Sequence, residues 1–117
     1  MIVYKKAFEL AMRIFSVSKG FPREETYSLT DQIRRSSRSV CSCIAEAYRK
    51  RKYPAYFTSK ISDADAENSE TITWLDFSLS CGYISSETFG ELKTMNDEIG
   101  RMLEAMMRNP EKFKPKD

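Results

Sequence analysis

No histidine occurs among the 117 residues. That absence removes histidine metal sites, Ser-His and Cys-His nucleophile pairs and the Glu-x-x-His di-iron bundle. Cysteine is scarce too: Cys41, Cys43 and Cys81 make an odd count without C-x-x-C spacing. A secreted disulfide framework is therefore not expected, and a reducing, cytoplasmic compartment is. Glycine and proline number four each, too few for a turn-dense all-β sandwich or barrel. No apolar run reaches the ~20 residues of a membrane span, and Lys5, Lys6, Glu9 and Arg13 break up the N-terminal stretch where a signal peptide needs continuity. A glycine-rich phosphate loop is also missing. The carboxylate pairs Glu24 with Glu25 and Asp63 with Glu67 have no companion group that marks a general acid and base, so they read as solvated helix faces. Cys41 and Cys43, two apart, point in different directions on a helix and cannot chelate together, which leaves buried packing as their role. The expectation is a protein without catalytic activity, cofactor, metal or membrane.

What the chain does have is a folding balance, with 41% hydrophobic and 31% charged residues in a length that suits one compact domain. Its net charge of +2 hides an uneven distribution. From Arg34 to Lys52 seven basic residues face Glu46 alone, a net of +6, whereas Ser62 to Phe77 holds five acidic residues and no basic one. A basic segment is followed by an acidic one. Pairing between antiparallel neighbours would explain this, and so would a surface that binds a partner.

Hydrophobic spacing divides the chain into four helices. Val3, Ala7, Leu10, Ile14, Val17 and Phe21 form the first seam, ended by Gly20 and Pro22. Leu29, Ile33, Ser36, Val40, Ile44 and Ala47 form the second, stopped before Pro54 because the residue preceding a proline avoids the α region. A third helix runs from near Ala55 to Ser80 through Phe57, Ile61, Ala64, Asn68, Ile72, Leu75 and Leu79, with Gly82 suited to a left-handed C′ position. Its middle, S-D-A-D-A-E-N-S-E-T, is poor in large apolar groups. The fourth starts with Ser85 as N-cap, has Ile84 and Phe89 at the spacing of a hydrophobic staple, and continues through Leu92, Met95, Ile99, Met102 and Met106. Four amphipathic helices with short connections imply an all-α fold, an antiparallel up-down four-helix bundle over residues 1–109, with 110–117 as a frayed tail.

Two helices carry more apolar surface than one seam uses. Tyr4, Phe8, Ala11 and Phe15 make a second ridge on the first helix, and Trp74, Phe77 and Cys81 lie opposite the seam of the third. A wide core stripe is one explanation. The other is a subunit interface on Tyr4, Phe8, Phe15, Trp74 and Phe77, since aromatic anchors are enriched in such interfaces.

The segment F-P-R-E-E-T-Y-S-L-T-D-Q-I-R-R-S-S-R-S-V, followed by I-A-E, resembles the signature of the four-helix-bundle family named for the intervening sequence of 23S ribosomal RNA. The opening Y-K-K-A-F-E-L, the positions of Glu70 and Thr73, and C-G-Y-I-S are similar to the same family over nearly the whole chain. Tyr4 stands where a Trp is usual. In place of the family's S-N-I-A-E-G the chain has Ser42-Cys43-Ile44-Ala45-Glu46-Ala47, so any role of that amide or glycine is not carried over. The resemblance implies an up-down bundle that assembles into a ring, commonly a homopentamer, with no catalytic activity. A related branch, the accessory proteins of diversity-generating retroelements, binds nucleic acid and a reverse transcriptase through a basic pentamer.

The basic residues are the remaining candidates. Arg35, Arg38 and Arg49 lie opposite the second seam, and Lys50, Arg51 and Lys52 thicken the end of that stripe. Guanidinium groups match phosphate oxygens bidentately. Arg34 and Arg35 have a structural alternative, pairing with Glu46 or Glu70 inside the bundle. Two readings follow: an oligomeric scaffold that binds RNA or DNA through Arg35, Arg38, Arg49, Lys50, Arg51 and Lys52, or a ring that binds a protein partner and no nucleic acid.

Overall fold

A computed structural model describes residues 1–116 and contains four α-helices: α1 (Ile2–Ser18), α2 (Leu29–Arg49), α3 (Pro54–Ser80) and α4 (Ser86–Arg108). Each helix packs on the next and α1 closes on α4, so the chain runs up and down around one core. The bundle is elongated, 51 × 25 × 17 Å. Among the described residues no helix is long and apolar enough to cross a membrane.

The helix ends follow local chemistry. Pro54 opens α3, where its missing N–H costs nothing. At the other end Gly82 takes φ +76, and Gly82 N donates to Leu79 O while Tyr83 N donates to Ser78 O, both at 2.9 Å. This six-residue closure satisfies two carbonyls that the helix leaves open. Ser85 caps α4, its Oγ accepting from Thr88 N at 3.0 Å.

The second seam is buried throughout, from Leu29 to Ala47. The fourth is buried as expected at Leu92, Ile99 and Met106, but its stripe is shifted toward Asn96 and Leu103. Leu92, Asn96, Ile99, Leu103 and Met106 face the core, while Met95 and Met102 are only half-buried. On α3, Thr71 and Ser78 are fully buried in place of Ile72 and Leu79. Their hydroxyls are satisfied, Ser78 Oγ by Trp74 O at 2.8 Å within the helix and Thr71 Oγ1 by Glu67 O and by Ser36 Oγ of α2, both at 2.9 Å, so polarity costs little there. The acidic middle of α3 is helical without a break.

The expected frayed tail needs correction over its first half. Pro110–Phe113 forms a 3-10 turn, and Phe113 stacks on the buried Phe57 at 5.4 Å between ring centroids. An aromatic pair of this kind adds to the area it buries. Asp117, the end of that tail, lies outside the described residues.

Candidate nucleic-acid interface

Four of the six candidate cations, Arg49, Lys50, Arg51 and Lys52, sit at the corner where α2 ends and α3 begins. The corner is closed by backbone bonds, Lys50 N to Ala47 O at 3.1 Å and Tyr53 N to Lys50 O at 2.9 Å. Arg51 Nη1 donates to Tyr48 O at 3.0 Å. Basic side chains here complement the negative end of the α2 dipole. The same corner receives the positive end of α3, which has no side-chain cap and no acidic residue in its first turn.

Glu46, the nearest acid in sequence, is already engaged. Lys60 Nζ on α3 reaches its Oε2 at 2.8 Å and Asp63 Oδ2 at 3.6 Å. The hydrogen bond to Glu46 pushes the Lys60 ammonium above its ordinary pKa. Charge does pair across α2 and α3, but from a base on the acidic helix to an acid on the basic one. Among the described residues, Arg49, Lys50, Arg51 and Lys52 form no ion pair.

Three tyrosines, which the reading of phosphate contacts passed over, share this corner. Arg51 Cζ lies 4.0 Å from the Tyr48 ring centroid, Lys52 Nζ 5.6 Å from that of Tyr53, and Lys50 Nζ 5.9 Å from that of Tyr56. These rings are 44%, 54% and 44% exposed for Tyr48, Tyr53 and Tyr56. The signal was present as Y-R-K-R-K-Y-P-A-Y, basic residues framed by aromatic ones.

The other arginines of α2 separate. Arg34 is structural, though its partner is neither Glu46 nor Glu70: its Nε donates to Ser18 Oγ at 2.8 Å and its Nη2 reaches Phe15 O at 3.5 Å, tying α2 to α1. Arg35 is exposed and forms no ion pair among the described residues. The neighbouring Glu67 and burial push the Glu70 carboxyl above its ordinary pKa, a rise that the Arg35 charge offsets only in part. Arg38 turns to the α1 side, 5.6 Å from the Phe15 centroid, beside a groove lined by Tyr4, Phe8 and Met12. Arg38 and Arg49 are eleven residues apart, three turns along one face and roughly 16 Å.

Of the candidate interface aromatics, Tyr4, Phe8 and Phe77 are 38%, 50% and 53% exposed. Phe15 is half-buried beneath Lys19, Arg34 and Arg38, all within 6 Å of its ring, with centroid distances of 4.8, 4.8 and 5.6 Å. Trp74 is half-buried against Phe77, and its enclosed indole N–H faces the Glu70 side chain without closing a full hydrogen bond. The two patches lie against different stretches of α2: Tyr4 and Phe8 beside Arg38 to Ser42, Trp74 and Phe77 beside Leu29 to Gln32.

The family description "23S rRNA-intervening sequence protein" matches residues 1–105. The chain belongs to this family. A crystal structure of a protein with unknown function from the S23 ribosomal protein family of Bacteroides thetaiotaomicron is similar to it, at 29% identity and a TM-score of 0.81 over 90% of this chain and 97% of that one. Comparison with curated proteins gives no match. Of the positions where the sequence departs from the pattern it resembles, Ala47 and Cys43 are core residues, 0% and 9% exposed, whereas Tyr4 is 38% exposed. Burial pushes the thiols of Cys43 and Cys41 above their ordinary pKa, which keeps them protonated and suits packing.

Proposed function

We propose that this chain is a non-enzymatic, self-associating scaffold that binds nucleic acid through the cations of α2 and of the α2–α3 corner. The observation that carries the reading is the run Arg49–Lys52, four consecutive cations with no ion-pair partner among the described residues. Cations that the fold leaves unneutralised attract phosphates, and Arg35 and Arg38 extend the field along α2. Self-association is supported by Tyr4, Phe8 and Phe77, large apolar groups left open to solvent on two different faces. Two such faces docking on one another make a head-to-tail contact, which forms a ring when the rotation between neighbours closes. The homopentamer implied by the resemblance is one such ring.

The test is binding of labelled nucleic acid across a salt series. The logarithm of affinity should fall linearly with that of salt, with a slope of roughly −0.7 to −0.9 per phosphate neutralised. Arg38→Glu with Arg49→Glu should weaken binding to every sequence and flatten the slope, since backbone contacts carry no sequence information. A folded, assembled double variant that binds as tightly as the parent at every salt concentration would leave a ring for a protein partner as the better account.

A further inference from the structure

We infer that the α2–α3 corner selects single-stranded over double-stranded nucleic acid, with Tyr48, Tyr53 and Tyr56 stacking on unpaired bases while Arg49, Lys50, Arg51 and Lys52 hold the adjoining phosphates; this rests on the nucleic-acid reading above. The cations alone would serve any polyanion. What distinguishes the corner is that a planar ring accompanies nearly every charge.

The three rings occupy a stretch of nine residues, Tyr48 to Tyr56, and each is about half exposed, at 44%, 54% and 44%. The structure gives them no other task. Among the described residues their hydroxyls make no hydrogen bond to protein, and the close ring pairs of the molecule, Tyr4–Phe8, Phe21–Tyr83, Phe57–Phe113 and Trp74–Phe77, do not include them. Each ring instead has one cation near its face, at 4.0 to 5.9 Å. A cation near one face leaves the opposite face for another π-system.

A duplex offers phosphates to such a corner but keeps its base faces stacked inside. A single strand offers both, and a base stacking on an aromatic side chain is sequence-tolerant because every base has a π-face. Sugar identity does not enter this geometry, so ribose and deoxyribose strands are equivalent ligands. The tight turn matters as well. Tyr53 N bonded to Lys50 O at 2.9 Å fixes the spacing of Lys50 to Tyr53, so rings and charges are arranged before any strand arrives.

The experiment compares the whole chain binding to a labelled oligo-dT strand, an oligo-rU strand of equal length and a blunt DNA duplex with the same number of phosphates. The parent should bind both strands alike and hold them at salt concentrations that release the duplex. Replacing all three rings (Tyr48→Leu, Tyr53→Leu, Tyr56→Leu) should weaken strand binding by at least about 100-fold, about 5-fold or more per ring, leave the duplex within about twofold, and leave the salt slope unchanged. The triple Tyr→Phe variant should match the parent. Lys50→Gln with Lys52→Gln should weaken strand and duplex together and flatten both slopes. Should the triple leucine variant fail to fold, Tyr53→Leu alone, at the most exposed ring, gives the same comparison. Unchanged strand affinity in the leucine variants, or a duplex bound as tightly as the strands, overturns the stacking proposal. If the lysine pair still lowers affinity in that case, nucleic-acid binding stands without strand selection; if it too has no effect, both readings fall.

Discussion

Asn68 and Asn96 each reach the other's backbone across the α3–α4 seam, Nδ2 donating to the opposite carbonyl at 3.0 Å in both directions. Asn96 Nδ2 also lies 3.1 Å from Asn68 Oδ1. Both residues are 4% exposed, so these bonds are shielded from water. Gly100 lies beside the pair, where a Cβ would stand 3.4 Å from Asn68 Nδ2, at the near edge of ordinary van der Waals contact.

Asn96→Leu strands Asn68 Oδ1, whereas Asn68→Leu leaves Asn96 Nδ2 its bond to the backbone carbonyl at position 68. Asn96→Leu should cost about 1–3 kcal/mol in urea unfolding, the desolvation penalty of a buried oxygen left unpaired, and Asn68→Leu less, about 0.5–1.5 kcal/mol for one lost bond. The double variant should recover part of that loss, because two apolar side chains remove the need for satisfaction. Strictly additive losses would show that the pair does not act as a unit.

The phase of α4 can be tested by truncation. Leu103→Ala, at a fully buried side chain, should cost ~2–5 kcal/mol, as should Ile33→Ala and Ile99→Ala. Met102→Ala, half-buried one residue earlier, should cost distinctly less. Thermal melts in which Met102→Ala and Leu103→Ala lose stability equally would contradict the packing.

Tyr83 carries a pH signature. Its hydroxyl donates to Glu25 Oε2 at 2.9 Å, and that bond, with burial and the carboxylate charge, pushes its pKa up to about 12. The unfolded value is about 10. A folded pKa above the unfolded one means that the contribution to stability is complete below pH ~10 and is lost as pH climbs through the folded value. Phenolate absorbance should therefore show one of the six tyrosines ionising late, and Tyr83→Phe should remove that late step.

Phe77 is the better probe of self-association than Trp74, because Trp74 also packs on its own bundle's core. Phe77→Glu and Phe8→Glu should lower the mass seen by light scattering while leaving the helical signal intact, since both side chains are about half exposed. A monomeric parent protein would end the oligomer reading outright.

Gly90 lies inside α4, and a Cβ there would meet nothing within 4 Å. Gly90→Ala should accordingly raise unfolding stability by about 0.5–1 kcal/mol, the difference in helix propensity. Circular dichroism melts of the two proteins decide it.

The fold was legible because apolar spacing over long windows overdetermines a helix face, as from Leu29 to Ala47. Phase errors arose where polarity misled. Asn96 does not look like a core residue until Asn68 is placed opposite it, Ser78 conceals its hydroxyl in its own helix, and Thr71 also meets Ser36 on α2. The candidate cations were legible as a charge run, but their sorting was not. Arg34 turns to Ser18 and Arg38 to Phe15 because α1 lies beside them, a fact of packing that spacing along α2 does not contain. The tyrosines of the corner were readable in principle, had aromatic interleaving been weighed with charge.

The closing seam of the bundle has a kinetic meaning. Three of the four helix contacts join neighbours in sequence, linked by short connections, whereas α1 and α4 meet only after the rest of the chain has been folded back. Two ion pairs span that seam, Lys6 with Glu98 and Arg13 with Glu91, and both lie at the surface. Exposed pairs contribute little and are screened by salt. Closing the longest loop is also the entropically costliest step. Native-state hydrogen exchange should then find α1 opening as a unit ahead of α2 and α3, and sooner as ionic strength rises, so the first helix made is the last one secured.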